Sequence, residues 1–183
     1  MEVPPIRAPR LDLVSLSPAV LEALLAGRLD EAERLLGFAL PDDWPGEHDE
    51  RFLRLRLGQM QHEPEAQRWL VRALVRLRGR CMIGHAGFHG PPGAHGLDPG
   101  AVELGYTVFP AFRGQGYATE AAVALIEWAR TQGIRHFVAS VSPRNEPSLA
   151  IVRKLGFVRT GEHWDDVDGL EHVFELADAR MPP

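Results

Sequence analysis

The stretch "VELGYTVFPAFRGQGYATEAAVALIEWAR", residues 102–130, limits the fold more than any other. Its first eight residues read as a strand with apolar positions alternating, and its last twelve are alanine-rich with helical spacing. Between them stand Arg113, Gly114 and Gly116. Glycine is poor in either element and good between them, so this is a strand-to-helix turn whose backbone must come close to something.

The rest of the chain interleaves strands and helices. "RLDLVSLS" alternates like a first strand, and "PAVLEALLAG" opens on proline and closes on Gly27 as a short helix does. "LDEAERLLG" repeats that helical pattern and stops at Gly37. "FALPDDWPGEHD" is turn-rich and reads as a loop with an exposed Trp44, before a helix over residues 49–61. "WLVRALVRL" and "CMIGHAGFHG" are strand-like and joined by Arg78, Gly79 and Arg80 as a tight hairpin. After the loop "PPGAHGLDPG" come the strand over 101–109, the helix ending at Gly133, the strand "IRHFVASV", a helix over 146–155, and the strands "FVRTGEHW" and "LEHVFEL". The expectation is a single domain over residues 9–177, with a mixed α/β sheet of about seven strands and about four flanking helices. No internal repeat, low-complexity tract or linker interrupts it.

Composition excludes several classes. At 183 residues and 45% hydrophobic, the chain can bury one sizeable core. Its formal charge of -5 argues against a surface for nucleic acid or anionic lipid. Arginines cluster between Arg68 and Arg80, but Arg76, Arg78 and Arg80 alternate as one solvated strand face would. The single cysteine, Cys81, excludes an internal disulfide framework and reads as packing rather than a nucleophile. No basic segment precedes an apolar core and no apolar run approaches about 18 residues, so the expected setting is a reducing cytoplasm with no membrane partner.

The turn's chemistry narrows matters further. A dinucleotide fingerprint needs glycine or alanine where this chain has Thr119, and a Walker loop needs a GK[ST] ending that is absent. What remains is a helix N-terminus with unpaired N–H groups beside Arg113. That is either an anion site suited to phosphate or pyrophosphate, or an ordinary connection shaped by glycine.

Arg113, Gly116 and Ala118 spell R-x-x-G-x-A, which resembles the acetyl-CoA pyrophosphate motif of the GNAT superfamily of N-acetyltransferases. "VSPRNEPSLAIVRKLGF", residues 141–157, is similar to that superfamily's second motif, with the N-x-x-S and K-L-G-F of its RimJ/RimL-like branch. "GFHGPP" and the whole 102–121 stretch also resemble that branch, and the element order agrees over nearly the whole chain. The resemblance implies the GNAT acyl-CoA N-acyltransferase fold and acetyl-CoA as co-substrate. It implies that Tyr106, Thr107, Val108 and Phe109 face the pantetheine arm, and that Gly114, Gln115, Gly116, Tyr117, Ala118 and Thr119, with Arg113, hold the pyrophosphate. Asn145 matches the branch's pantetheine-facing asparagine, and Lys154 stands within reach of a CoA phosphate or in solvent. In the family two strands splay apart to admit the cofactor.

Transfer to an amine sets two requirements. A lysine or N-terminal amine, with a pKa of about 10.4 or about 8, must lose a proton before it attacks a thioester. The departing thiolate leaves more easily beside a donor. Glu103 is the candidate base, because on a regular strand it shares a face with Gly105 and Thr107, opposite Val102, Leu104 and Tyr106. A solvated strand glutamate is the competing reading, and His85, His89 and Glu171 are reserves. The resemblance makes Ser148 the acid, while Asn145 as helix N-cap supplies a purely local role for the same pair. Trp44, Trp164, Asp165 and Asp166 fall in expected loops that wall the acceptor pocket in the family, so Trp44, Glu103, Trp164 and Asp165 are the expected acceptor contacts. His85, His89 and His95 lack a carboxylate at ligand spacing, so no metal is expected. Leu125, Trp128, Phe157 and Phe174 read as core. The acceptor is a protein N-terminal amine or a small-molecule amine, and the protein a monomer or homodimer. A non-catalytic acetyl-CoA sensor and a histidine-metal hydrolase stay open as alternatives.

Overall fold

In a computed structural model of the protein, residues 3–165, 167 and 169–177 are described. Among them run β1 (Ile6–Arg7), β2 (Leu11–Ser15), α1 (Pro18–Leu25), α2 (Leu29–Leu36), α3 (Glu47–His62), β3 (Arg72–Arg76), β4 (Cys81–Phe88), β5 (Ala101–Val108), α4 (Tyr117–Thr131), β6 (His136–Val141), α5 (Glu146–Lys154), β7 (Val158–Asp165) and β8 (Gly169–Ala177). The eight strands form one sheet in the order β1-β2-β3-β4-β5-β6-β8-β7. The count exceeds the expected seven because β1, with two residues, is too short to carry an alternation. Five α-helices are present among the described residues, rather than about four, with α1 and α2 on the two short helical segments that close on Gly27 and Gly37.

Local sequence sets the helix ends. Ser17 Oγ accepts from the Val20 N–H at 3.4 Å at the start of α1, with Pro18 in the first turn. Gly37 closes α2 in the left-handed region at φ 74°. Asn145 Oδ1 accepts from the Ser148 N–H at 3.2 Å and starts α5.

The sheet is covered on both faces. On one, α4 lays Ala121, Ala122, Leu125 and Ala129, all fully buried, against Val102, Leu104 and Phe137. Small side chains at that helical spacing let α4 sit close to the strands. On the other, Leu21, Leu53 and Met60 of α1 and α3 close over Val71, Ala73 and Met82. Leu125, Phe157 and Phe174 are core as expected, and Trp128 is half-buried against Trp69 and Phe88.

Two expectations need correction. Trp44 is 3% exposed, not solvent-facing: its ring packs near Phe109 and His85 in the second core cluster. The arginine face is not uniform: Arg78 and Arg80 lie in the turn after β3, outside any strand, while Arg76 stacks over Phe112. Within the same cluster Arg72 is buried, its guanidinium donating to the carbonyls of Pro4, Leu13 and Arg68. Carbonyl acceptors take both terminal nitrogens of that cation without a counter-charge, Nε stays without a partner, and burial pulls its pKa down to about 10.

Every strand pairing is antiparallel except β5 with β6. Those two align only over Ala101–His136, Val102–Phe137 and Glu103–Val138. Beyond them the strands run on as far as Val108 and Val141 without pairing, which opens a wedge in the sheet. Because β5 and β6 are parallel, α4 and α5 begin at the same end of the sheet, where the wedge is widest.

Candidate active site

Backbone direction along β5 decides what the wedge offers. The Glu103 carbonyl accepts from the His89 N–H at 2.8 Å, and the Phe109 N–H donates to the Ile83 carbonyl at 2.9 Å, both toward β4. Alternation along the strand therefore turns the N–H groups of Leu104, Tyr106 and Val108 into the wedge. The Val108 carbonyl is taken by Arg113 Nε at 2.9 Å, which fixes the end of β5 and places Arg113 against the strand. Thr107 is exposed and lines the cavity on the strand face it shares with Glu103.

Beyond the wedge lies the glycine turn. Gly114 and Gly116 have φ of 73° and 82°, conformations that L side chains rarely adopt, and Gly114, Gln115 and Gly116 are exposed. Tyr117 starts α4 with its ring buried, so its backbone rather than its phenol faces outward. The first N–H groups of α4, including those of Ala118 and Thr119, lack partners within the helix. Arg10, which the sequence did not single out, braces this turn. Its backbone N–H and Nε both meet the Glu120 carboxylate at 2.6 Å, Nη1 donates to the Gln115 carbonyl at 3.1 Å, and its guanidinium stacks 4.4 Å from the Tyr117 ring. The pairing offsets a carboxylate that would otherwise repel an anion at the helix start. Lys154 is exposed at the end of α5 and lies away from the cavity.

A cavity of about 960 Å³ continues from the wedge toward β4, β8 and α3. Ser148 and Asn145 line it from α5, Ser140 and Ser142 from and just after β6, and Glu103 and Tyr106 from β5. Tyr106 has a buried hydroxyl with no partner at full hydrogen-bond geometry; the Ser148 hydroxyl lies beside it. Burial pushes the Tyr106 phenol's pKa up, and the neighbouring serine partly offsets this. A buried polar atom without a partner at a wedge lined by outward N–H groups fits a polar, amide-bearing ligand such as pantetheine.

Glu103 projects into the cavity, as its strand face requires. His89, just past the end of β4, brings Nδ1 to 3.4 Å from Glu103 Oε2, and the ring lies over Gly105. A Cβ at Gly105 would stand 2.7 Å from His89 Nε2, so this glycine makes room for the imidazole. Burial pushes the Glu103 pKa up, but hydrogen bonds from His89 and Ser140 and the charges of His89 and His163 outweigh it and hold the carboxyl down to about 2. His85 is stacked on Phe52 at 4.9 Å, and burial lowers its pKa to about 4, so it is neutral at physiological pH.

The last hairpin differs from expectation. Residues 164 and 165 belong to β7, not a loop. Strand alternation turns His163 and Asp165 into the cavity, while Trp164 is 73% exposed on the other side and touches no acceptor space. Asp166 lies outside the described residues. Trp44 stands behind His85 rather than on the cavity wall. Glu171 of β8 lines the cavity and lies 3.5 Å from His163 Nε2. Among the described residues no group of three or more potential metal ligands occurs, and no helix is long and apolar enough to cross a membrane.

His163 and Arg56 were not anticipated. For Arg56 a signal exists: it stands between Leu53 and Met60 at helical spacing, a charge on the buried stripe of α3.

Residues 10–158 match the family described as "Acetyltransferase (GNAT) domain", and the chain belongs to that family, whose class is acyltransferase. Across 97 residues it is 31% identical to the uncharacterized N-acetyltransferase YnaD of Bacillus subtilis, covering 47% of this chain and about half, 54%, of that relative. It is 38% identical over 63 residues, 34% of this chain and 37% of the other, to an L-methionine sulfoximine/L-methionine sulfone acetyltransferase of Pseudomonas aeruginosa. A GNAT-family acetyltransferase structure from Bordetella pertussis superposes with a TM-score of 0.66 at 26% identity, covering 94% of this chain and 99% of that one. The same fold recurs, with a TM-score of 0.61 at 19% identity over 94% and 97% of the two chains, in RimL, a ribosomal L7/L12 α-N-protein acetyltransferase solved with coenzyme A.

Proposed function

We propose that the protein transfers the acetyl group of acetyl-CoA directly to a primary amine. The observation that carries this reading is the wedge between β5 and β6, which has strand N–H groups on its side, a helix N-terminus at its mouth and a carboxylate–imidazole pair on its floor. Acetyl-CoA supplies the activated acyl thioester. On this reading the N–H groups of Tyr106 and Val108 bind the pantetheine arm and polarise the carbonyl, and the 114–119 backbone with Arg113 holds the pyrophosphate.

Glu103, held at about 2, is too weak a base to keep an amine's proton by itself. In this reading it orients His89, and the imidazole takes the proton from the incoming amine while the carboxylate stabilises the resulting charge. Ser148, with the Tyr106 hydroxyl beside it, donates to the departing sulfur. Transfer is direct, with no covalent intermediate on the protein.

The named relatives act on unlike acceptors, a protein N-terminus in one case and a small amino-acid derivative in the other. The deciding experiment is calorimetric titration with acetyl-CoA, followed by thiol release against peptides and small amines for wild type and Ser148→Ala. Micromolar binding with turnover reduced about ten- to a hundredfold in the variant supports the reading. Binding without turnover toward any amine would favour a sensor, and absence of binding would end the assignment.

A further inference from the structure

Among the described residues, Arg56 is the only lysine or arginine on the cavity wall. It is 7% exposed, and its guanidinium stacks over Phe52 with 5.0 Å between them. Nη1 donates to Gln59 Oε1 at 2.9 Å and to the His89 carbonyl at 2.7 Å. That carbonyl also receives Gln59 Nε2 at 3.0 Å and has His95 Nε2 at 3.3 Å. Three nitrogens thus crowd an oxygen with two lone pairs, and a neutral amide alone would tie α3 to the end of β4.

The charge on Arg56 has no such structural use. No carboxylate of the described residues lies within ion-pair distance of it: Glu103 acts on it only at longer range and is engaged by His89. Its Nε and Nη2 make no hydrogen bond to the described residues. Burial lowers its pKa to about 10, which leaves it cationic at neutral pH. A buried cation with idle donors facing a cavity is costly unless the cavity's occupant completes it.

We propose that Arg56 seats a carboxylate of the acceptor, so that the substrate is a small zwitterion such as an α-amino acid or a close analogue. This deepens the acyl-transfer reading and rests on it. Glu103 and Glu171 on one part of the cavity and Arg56 on another match an amine and a carboxylate a few bonds apart. Phe52, Leu55 and Leu97 give an apolar wall for the substrate's side chain. A polypeptide N-terminus offers a neutral amide where the carboxylate would sit, and a polyamine brings a second cation toward Arg56.

The test compares thiol release from acetyl-CoA with the twenty free L-amino acids, each against its own carboxamide. The carboxamides have less basic amines, so intrinsic reactivity favours them. The expected result is at least one acid whose kcat/KM exceeds that of its carboxamide by about tenfold or more, with Arg56→Gln raising KM for that acid by about tenfold to a hundredfold and bringing the ratio toward one. Arg56→Lys should restore part of the preference. Carboxamides used as well as acids by the wild type, acceptance of peptides but of no free amino acid, or no acceptor at all would each overturn the assignment without recourse to any variant. So would an Arg56→Gln ratio equal to that of the wild type. Acetyl-CoA titration of the same samples separates the two claims. No binding by the wild type removes the acyl-transfer reading itself, whereas intact binding with turnover indifferent to the carboxylate removes only the role of Arg56.

Discussion

The proposed cofactor site and the proposed acceptor site are built from different material. At the proposed cofactor site, beyond the wedge, seven consecutive residues, 113–119, present backbone groups in conformations that two glycines permit. At the proposed acceptor site, the cavity, Arg56 from α3, His89 after β4, Glu103 from β5, His163 from β7 and Glu171 from β8 meet as side chains from five separate places. A backbone-built site is a property of one short stretch. A side-chain-built site is a property of the whole topology.

The largest effect should come from Gly116→Glu. It forces a side chain into φ 82°, toward Arg10 Nη2 3.5 Å away from the added Cβ, and adds a negative charge beside the expected pyrophosphate. Acetyl-CoA binding should vanish in calorimetry while thermal unfolding stays cooperative. Unchanged affinity would mean the turn is only a connection, and the contrast between the two sites would collapse.

Next in size is the pair at the floor. Glu103→Gln and His89→Gln should each lower kcat about 10²- to 10³-fold, and the double variant should be little worse than either single one, because the two act as a unit. Fully multiplicative losses would show that they work independently.

A smaller effect concerns stability. His85 has its pKa depressed from 6.5 to about 4, so the folded state favours the neutral ring. Its contribution is complete above pH 6.5 and is lost as pH falls through 4, because the unfolded chain takes up the proton first. Urea melts should show a loss on the order of 3 kcal/mol over that window, beyond what His85→Gln shows. Parallel pH curves for the two proteins would place the acid sensitivity elsewhere. The smallest effect is expected from Trp164→Ala, which should leave turnover and KM within about twofold because the indole faces solvent on the far side of β7. A large rise in acceptor KM would return that residue to the pocket.

The same contrast explains what could be read in the chain. The strand–turn–helix unit, its glycines, the Asn145 cap and the cavity-facing side of Glu103 follow from local spacing, and each lies where that spacing puts it. Trp44 misled because proline and aspartate around it signal a loop but say nothing of depth, and the fold buries its ring behind His85. Trp164 misled because it is the last residue of the segment read as a strand, and β7 is exposed along nearly its whole length, so no apolar alternation told its faces apart. His89 was only a reserve because its value depends on Gly105, sixteen residues further on, leaving space for a ring. Arg10 and Arg72 are likewise long-range, the first meeting Glu120 and the second reaching Pro4 and Leu13.

The short β5–β6 pairing has a mechanical consequence. With three aligned residue pairs and then none, the sheet is two half-sheets stitched at one end, β1 to β5 on one side and β6, β8 and β7 on the other. An extended chain of amides lying in the open part would act as the rungs the protein itself does not provide. On that view the bound molecule is a temporary strand as well as a reactant, and each turnover closes and reopens the sheet along one seam.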